Sequence, residues 1–272
     1  MKITEIKKLK RLYKVTFDDF FDNLDNESTD KLYVTEDTIV KFMLSKGKDI
    51  DASQLTEIES YANFSRGKNL AIYYISFKVR TRHEVEKYLR EHEIPERDIP
   101  RILAESEQLG LINDAHYAES YISGRILQGT TGPYNIRQKL QQKGINPDLI
   151  ATQLELQFPE EKQILSATKI AEKQVAVKFD RLPLKQLQQK IQQSLVSKGF
   201  AYSIAAIAVE SLELTADEEN EEALIAAEAD KAYTRLARRY DGYDLKNRVS
   251  QTLARKGFDW SMISDALRDY EF

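Results

Sequence analysis

Ile136-Arg137-Gln138-Lys139-Leu140-Gln141-Gln142-Lys143-Gly144-Ile145 is a complete helix ending written in ten residues. Ile136 and Leu140 are four apart and lie one above the other on a single helix face. Lys143 suits the negative end of the helix, Gly144 takes the left-handed conformation that stops it, and Ile145 folds back over the last turn. The same phrase returns as Ile191/Leu195 running into Lys198-Gly199-Phe200, and as Val249/Leu253 running into Lys256-Gly257-Phe258. An earlier copy, Val85/Leu89, reads His92-Glu93-Ile94 at the turn. A non-glycine residue in the left-handed region costs on the order of 1 kcal/mol or more, so that turn is expected to close differently.

Working outward, a second helical face follows each stop. Ile99 and Leu103, Ile150 and Leu154, and Ile263 and Leu267 fall ten and fourteen residues after the repeat leucine. The third copy offers Ala205 and Val209 there and reads as looser. Upstream of each pair lies another helical segment, at about 65–77, 115–127, 162–179 and 223–240. Self-similarity at a near-constant period identifies a repeat architecture. The expected fold is therefore mainly α: tandem three-helix repeats in an elongated array, with boundaries at 65–112, 113–158, 159–216 and 217–272. Helices packed about 8–10 Å apart would let four units in a row reach on the order of 60 Å.

Residues 1–64 differ in kind and read as a small α+β module. Tyr13, Val15 and Phe17 alternate with polar residues, as do Leu32 and Val34, predicting short strands with 3–6 as a third. Residues 18–30, rich in Asp and Asn, read as a loop. Thr35 is the expected cap of a helix through Ser45 stopped by Gly47, and Ser53 that of another through about Asn63. A lone hairpin is marginal in water, so the sheet should lean on these helices. Pro133, Pro147, Pro159 and Pro183 all fall between proposed helices, where a fixed φ and a missing donor do least harm.

Composition narrows the chemistry. A chain of 272 residues is ample for a buried core or several small ones. It has no cysteine, so no disulfide, thiolate nucleophile or cysteine-held metal is available. Neither a signal-peptide pattern nor an eighteen-residue apolar run is present, and a cytoplasmic protein with no membrane contact is expected. His83, His92 and His116 are scattered without a ligand-pair spacing. Neighbouring carboxylates such as Asp18/Asp19 and Glu160/Glu161 do not face each other on a helix. The 129–134 turn is neither a Walker loop nor a dinucleotide fingerprint. The expectation is a non-enzyme with no cofactor, metal or small-molecule substrate, acting as a monomer.

Charge is the remaining signal. The net value of −4 hides strong segregation. Residues 121–147 carry Arg125, Arg137, Lys139 and Lys143 and no acid. Residues 169–198 carry seven basic residues against Glu172 and Asp180. Residues 231–256 carry eight, including Arg235, Arg238, Arg239, Arg248 and Arg255, against Asp241 and Asp244. Arg235, Arg238 and Arg239 are expected to share one helix face, with Arg248 and Arg255 continuing it. Acidic residues gather in 213–230 and in the first sixty positions. Basic helical units suit a phosphate backbone or an acidic protein surface.

Three stretches then resemble one family. They are Lys78-Val-Arg-Thr-Arg-His-Glu-Val-Glu-Lys-Tyr-Leu89, Leu109-Gly-Leu-Ile-Asn-Asp-Ala-His-Tyr-Ala-Glu-Ser-Tyr121 and Gly132-Pro-Tyr-Asn-Ile-Arg-Gln-Lys-Leu-Gln-Gln-Lys-Gly144. With 234–258 of the fourth repeat, the ordered set resembles the RecX family of RecA regulators over about residues 65–272. The N-terminal module resembles the extension of longer members. The resemblance implies binding to the RecA recombinase filament on single-stranded DNA, and modulation, usually inhibition, of its ATPase and strand exchange. It transfers no catalytic residue. It points to Arg125, Arg137, Lys139, Lys143, Arg235, Arg238, Arg239, Arg248 and Arg255 as the partner-binding set. The residues themselves leave two rivals open: a sequence-tolerant DNA-binding helical array, and a scaffold for another protein.

Overall fold

A computed structural model of the chain describes residues 1–18 and 31–272. The expected 18–30 loop falls, from residue 19 on, outside the described residues. Strands β1 (Ile3–Lys8), β2 (Tyr13–Phe17) and β3 (Lys31–Val34) form an antiparallel sheet in sequence order, with Lys7 opposite Lys14 and Tyr13 opposite Val34. The inward residues Ile3, Val15, Phe17 and Val34 pack with Ile58 and Ala62. The sheet leans, as expected, on a helix.

That helix is longer than its sequence reading. Helix α1 (Glu36–Lys41) is capped by Thr35 but stops four residues before Ser45, because Met43 turns left-handed (φ 47°) and the Leu44 N–H bonds the Ile39 carbonyl. Helix α2 (Ala52–Ser76) then runs unbroken through positions 63–65, where two helices were expected. Asp51, not Ser53, is its N-cap, closing a capping box with Gln54. Two side-chain facts carry the helix through. Ser65 turns inward to the Thr35 hydroxyl at 2.6 Å, and Gly67 gives way to Ile102, whose Cδ1 would stand 2.5 Å from any added Cβ.

The repeats follow as α3 (Arg82–Glu91), α4 (Ile99–Gln108), α5 (Asp114–Gln128), α6 (Pro133–Gln142), α7 (Pro147–Gln157), α8 (Glu160–Lys178), α9 (Leu184–Ser197), α10 (Tyr202–Glu210), α11 (Glu218–Leu236), α12 (Gly242–Arg255) and α13 (Trp260–Ala266). A 3-10 turn, Phe179–Arg181, extends α8. All eight signature residues, from Val85 and Leu89 to Val249 and Leu253, are fully buried. Full burial of one such side chain contributes about 1.5–3 kcal/mol. The third copy is not loose: Ala205 and Val209 are buried like their counterparts, beside Ala208.

The first copy's turn also corrects its expectation. It closes like the others. Glu93 takes the left-handed region (φ 55°), and the Ile94 N–H reaches the Leu89 carbonyl at 3.1 Å, as Phe200 reaches Leu195 at 3.2 Å. The bonds and the buried Ile94 offset the strain. What distinguishes the glycine copies is their surroundings. A Cβ on Gly144 would lie 2.3 Å from the His83 Cβ, and one on Gly199 would lie 2.7 Å from the Asn135 nitrogen. Glu93 is exposed.

These approaches reveal how successive repeats join. Each glycine turn seats against the N-terminus of the preceding repeat's second helix. The Thr81 hydroxyl donates to the Lys143 carbonyl at 2.7 Å. The Gly132 and Tyr134 N–H groups donate to the Lys198 and Gly199 carbonyls at 2.8 and 3.0 Å. Helix starts leave unpaired N–H groups and helix ends leave unpaired carbonyls, and here one satisfies the other. At α9 the Glu221 carboxylate accepts the Leu184 N–H at 2.6 Å, while Gly257 lies beside Gln186. Backbone contacts divide the chain into two compact units, Met1–Ala118 with Gln142–Asn146, and Glu119–Gln141 with Pro147–Phe272.

Candidate partner interface

Residues 231–256 of the fourth repeat carry eight basic side chains. Helix α11 begins acidic, with Asp217 capping it and Glu218, Glu219 and Glu221 in the first turn, as its dipole favours. It ends at Leu236, earlier than the expected 240. Arg238 and Arg239 therefore lie in the turn that follows, not on the helix face with Arg235. The turn forms because the Arg239 and Tyr240 N–H groups both converge on the Leu236 carbonyl, at 2.9 and 3.1 Å. Tyr240 then supports the Arg248 guanidinium, 4.0 Å above its ring.

Not all of the expected cations are available. Lys231 and Lys256 both pair with Glu228, whose carboxyl is held below its usual range chiefly by the Lys256 ammonium. Arg248 pairs with Asp244 at 3.1 Å. Arg235, Arg238, Arg239 and Arg255 are exposed and have no carboxylate partner among the described residues. The Arg255 Nε donates to the Gln251 carbonyl, which fixes its stem along α12.

The second-repeat residues divide differently. Arg125 lies 4.9 Å from the centre of the Tyr121 ring and bonds Gln128 on its own helix. Arg137 and Lys139 are exposed on α6. Arg137 and the outward Tyr134 flank a cavity of about 430 Å³ floored by Val196 and Phe200. Lys143 is a structural ion: its ammonium sits 2.6 Å from Glu84. Burial pushes the Glu84 carboxyl up, but the Lys143 bond, the Thr81 N–H and Arg80 outweigh it and hold it below the usual range. The bond to Glu84 raises Lys143 in turn.

Sequence reasoning left out a second basic locus. Lys169 and Lys173 of α8 and Lys198 at the end of α9 line one groove with residues 126–130. Their charge showed in the 169–198 tract. Their convergence depends on packing.

Family comparisons bear on these surfaces. Family models match at three places, described as RecX first three-helix domain (residues 68–105), second (113–154) and third (219–267). Regulatory protein RecX of Lactococcus lactis subsp. lactis strain IL1403 is 52% identical over 100% of this chain and 98% of its own. The chain belongs to the RecX family. Regulatory protein RecX of Streptococcus sanguinis strain SK36 is 46% identical over 99% of this chain and 100% of its own. A crystal structure of regulatory protein RecX superimposes with a TM-score of 0.60 at 31% identity, covering 77% of this chain and 98% of that one. RecX from Lactobacillus salivarius gives 0.53 at 35%, over 56% and 98%. The arginine-rich turn lies inside the last family match; Lys169, Lys173 and Lys198 lie between matches. Among the described residues no helix is long and apolar enough to cross a membrane.

Proposed function

We propose that this protein binds the RecA filament on single-stranded DNA and lowers its ATPase and strand-exchange activity, acting in the cytoplasm as a monomeric, non-enzymatic regulator. Membership in a family of regulatory proteins carries the reading. The four exposed arginines of the fourth repeat supply its chemistry. Engaging them breaks no internal ion pair among the described residues. An acidic partner surface can take them up directly. Weak contacts distributed over successive repeats add by avidity, without one dominant pocket.

The test is RecA's single-stranded-DNA-dependent ATPase with this protein titrated well below RecA's concentration. The expected result is a fall at a small molar fraction, as capping or bridging of a filament requires. An unchanged ATPase with intact binding to naked DNA supports the DNA-binding array instead. No effect in either assay leaves the scaffold for another protein.

A further inference from the structure

The lysine groove has the makings of a second site. It holds about 570 Å³, within the 300–1,000 Å³ common for ligand pockets. All its residues belong to the second compact unit. Lys169 and Lys173 are one helical turn apart on α8, about 6 Å along the axis, and Lys198 approaches from α9. No carboxylate lines the groove, and none pairs with these lysines among the described residues. Hydroxyls of Ser166 and Thr130 add neutral donors. The Gln174 amide nitrogen is buried and makes no hydrogen bond among the described residues. A buried donor left unpaired costs about 1–3 kcal/mol, which an anion entering the groove would recover. Leu127, 90% exposed, stands at the mouth as a bare apolar surface.

We propose that this groove holds the sugar–phosphate backbone of a single nucleic-acid strand. Every cation lining this groove is a lysine, whose compact ammonium pairs with a phosphate as a point charge and needs no fork geometry. One helical turn between Lys169 and Lys173 approximates the step between successive phosphates of an extended strand. Leu127 offers a surface for a base or sugar. The inference adds to the proposed function by separating the two partners: the strand on the α8/α9 groove, the protein filament on the arginines of the fourth repeat.

Fluorescence anisotropy with the full chain and a labelled thirty-nucleotide oligo(dT), without RecA, tests it. Lys169→Glu with Lys173→Glu should lower affinity at least tenfold at low salt. It should also flatten the dependence of log K on log salt by about 1.4, at about 0.7 per phosphate contact on a single strand. The neutral pair, Lys169→Gln with Lys173→Gln, should fall between, and Lys46→Glu, on the other compact unit, should change nothing. Both lysines are exposed, so unchanged circular dichroism is expected for every variant. Unchanged affinity and slope in the double reversal overturn the groove. So does a labelled polyglutamate bound as tightly as oligo(dT) with the same loss, which would make the groove a peptide site. Because RecA is absent, either failure leaves the filament reading to its own ATPase test.

Discussion

Gly199 carries two demands at once, and Gly124 carries neither. Gly199 sits at φ 94°, and an added Cβ would meet the Asn135 backbone nitrogen at 2.7 Å. The left-handed strain costs about 1–2 kcal/mol, and backbone cannot step aside as a side-chain tip can. Gly199→Ala should therefore destabilise the protein by more than about 2 kcal/mol in urea unfolding. Gly124 lies inside α5 with nothing within 4 Å of its would-be Cβ. Gly124→Ala should stabilise by about 0.5–1 kcal/mol, the ordinary gain of alanine over glycine in a helix. Glu93 completes the comparison. It adopts the same turn without a neighbour pressed against it, so a side chain is tolerated there at the cost of strain alone. Lys-Gly-apolar in the sequence announces a helix stop. That the glycine also admits the next repeat is visible only when residues about sixty positions apart are brought together.

At the level of elements, the start of α3 gathers more structural work than its length implies. Thr81 caps the helix, Glu84 closes the capping box, and both reach the 142–146 segment through the Lys143 carbonyl and ammonium. Thr81→Ala removes the cap bond and the bond to Lys143 together and should cost about 1–2 kcal/mol in thermal or urea unfolding. The pH dependence follows from the depressed Glu84 carboxyl. A carboxylate whose pKa falls on folding stabilises the native state above its unfolded value of 4.5, and that stability is lost as pH falls through the lower folded value. Glu84→Gln should thus lower the melting temperature near neutrality and flatten its decline below about pH 4.5. Buried faces and the lysine–glycine stops are local, and the sequence disclosed them: the Val/Ile–Leu pairs and the acidic start of α11 lie where the pattern places them, while Pro133 and Pro147, expected between helices, open α6 and α7. One reading failed where distant side chains decided, and another where a local backbone turn did. Thr35 and Ile102 carry α2 across an expected break, and convergence on Leu236 ends α11 before Arg238. The lysine groove escaped because its members come from 126–130, α8 and α9 and meet only through packing.

Across the whole molecule, a net charge of −4 coexists with local surfaces of the opposite sign. Internal pairing decides which cations remain for a partner. Glu228 takes Lys231 and Lys256, Asp244 takes Arg248, and Glu84 takes Lys143. What stays outward in the fourth repeat without a carboxylate partner among the described residues is Arg235, Arg238, Arg239 and Arg255, together with Lys246 beside the Phe272 ring. Exposed charges contribute little to stability, about 0–1 kcal/mol even when paired, so reversing two of them should leave folding intact while altering any interface they form. Arg238→Glu with Arg239→Glu is the informative pair, because both lie in the turn that projects beyond α11. Placing two acidic residues against an acidic partner changes attraction into repulsion, which affects association rate and salt dependence first. Inhibition of the RecA ATPase by this variant should need at least tenfold more protein at about 50 mM salt. The difference from the natural sequence should shrink as salt shortens the screening length from about 14 Å to below 8 Å. An inhibition curve superimposable on that of the natural sequence at every salt concentration would remove this surface from the interface and shift attention to Arg137 and Lys139 on α6.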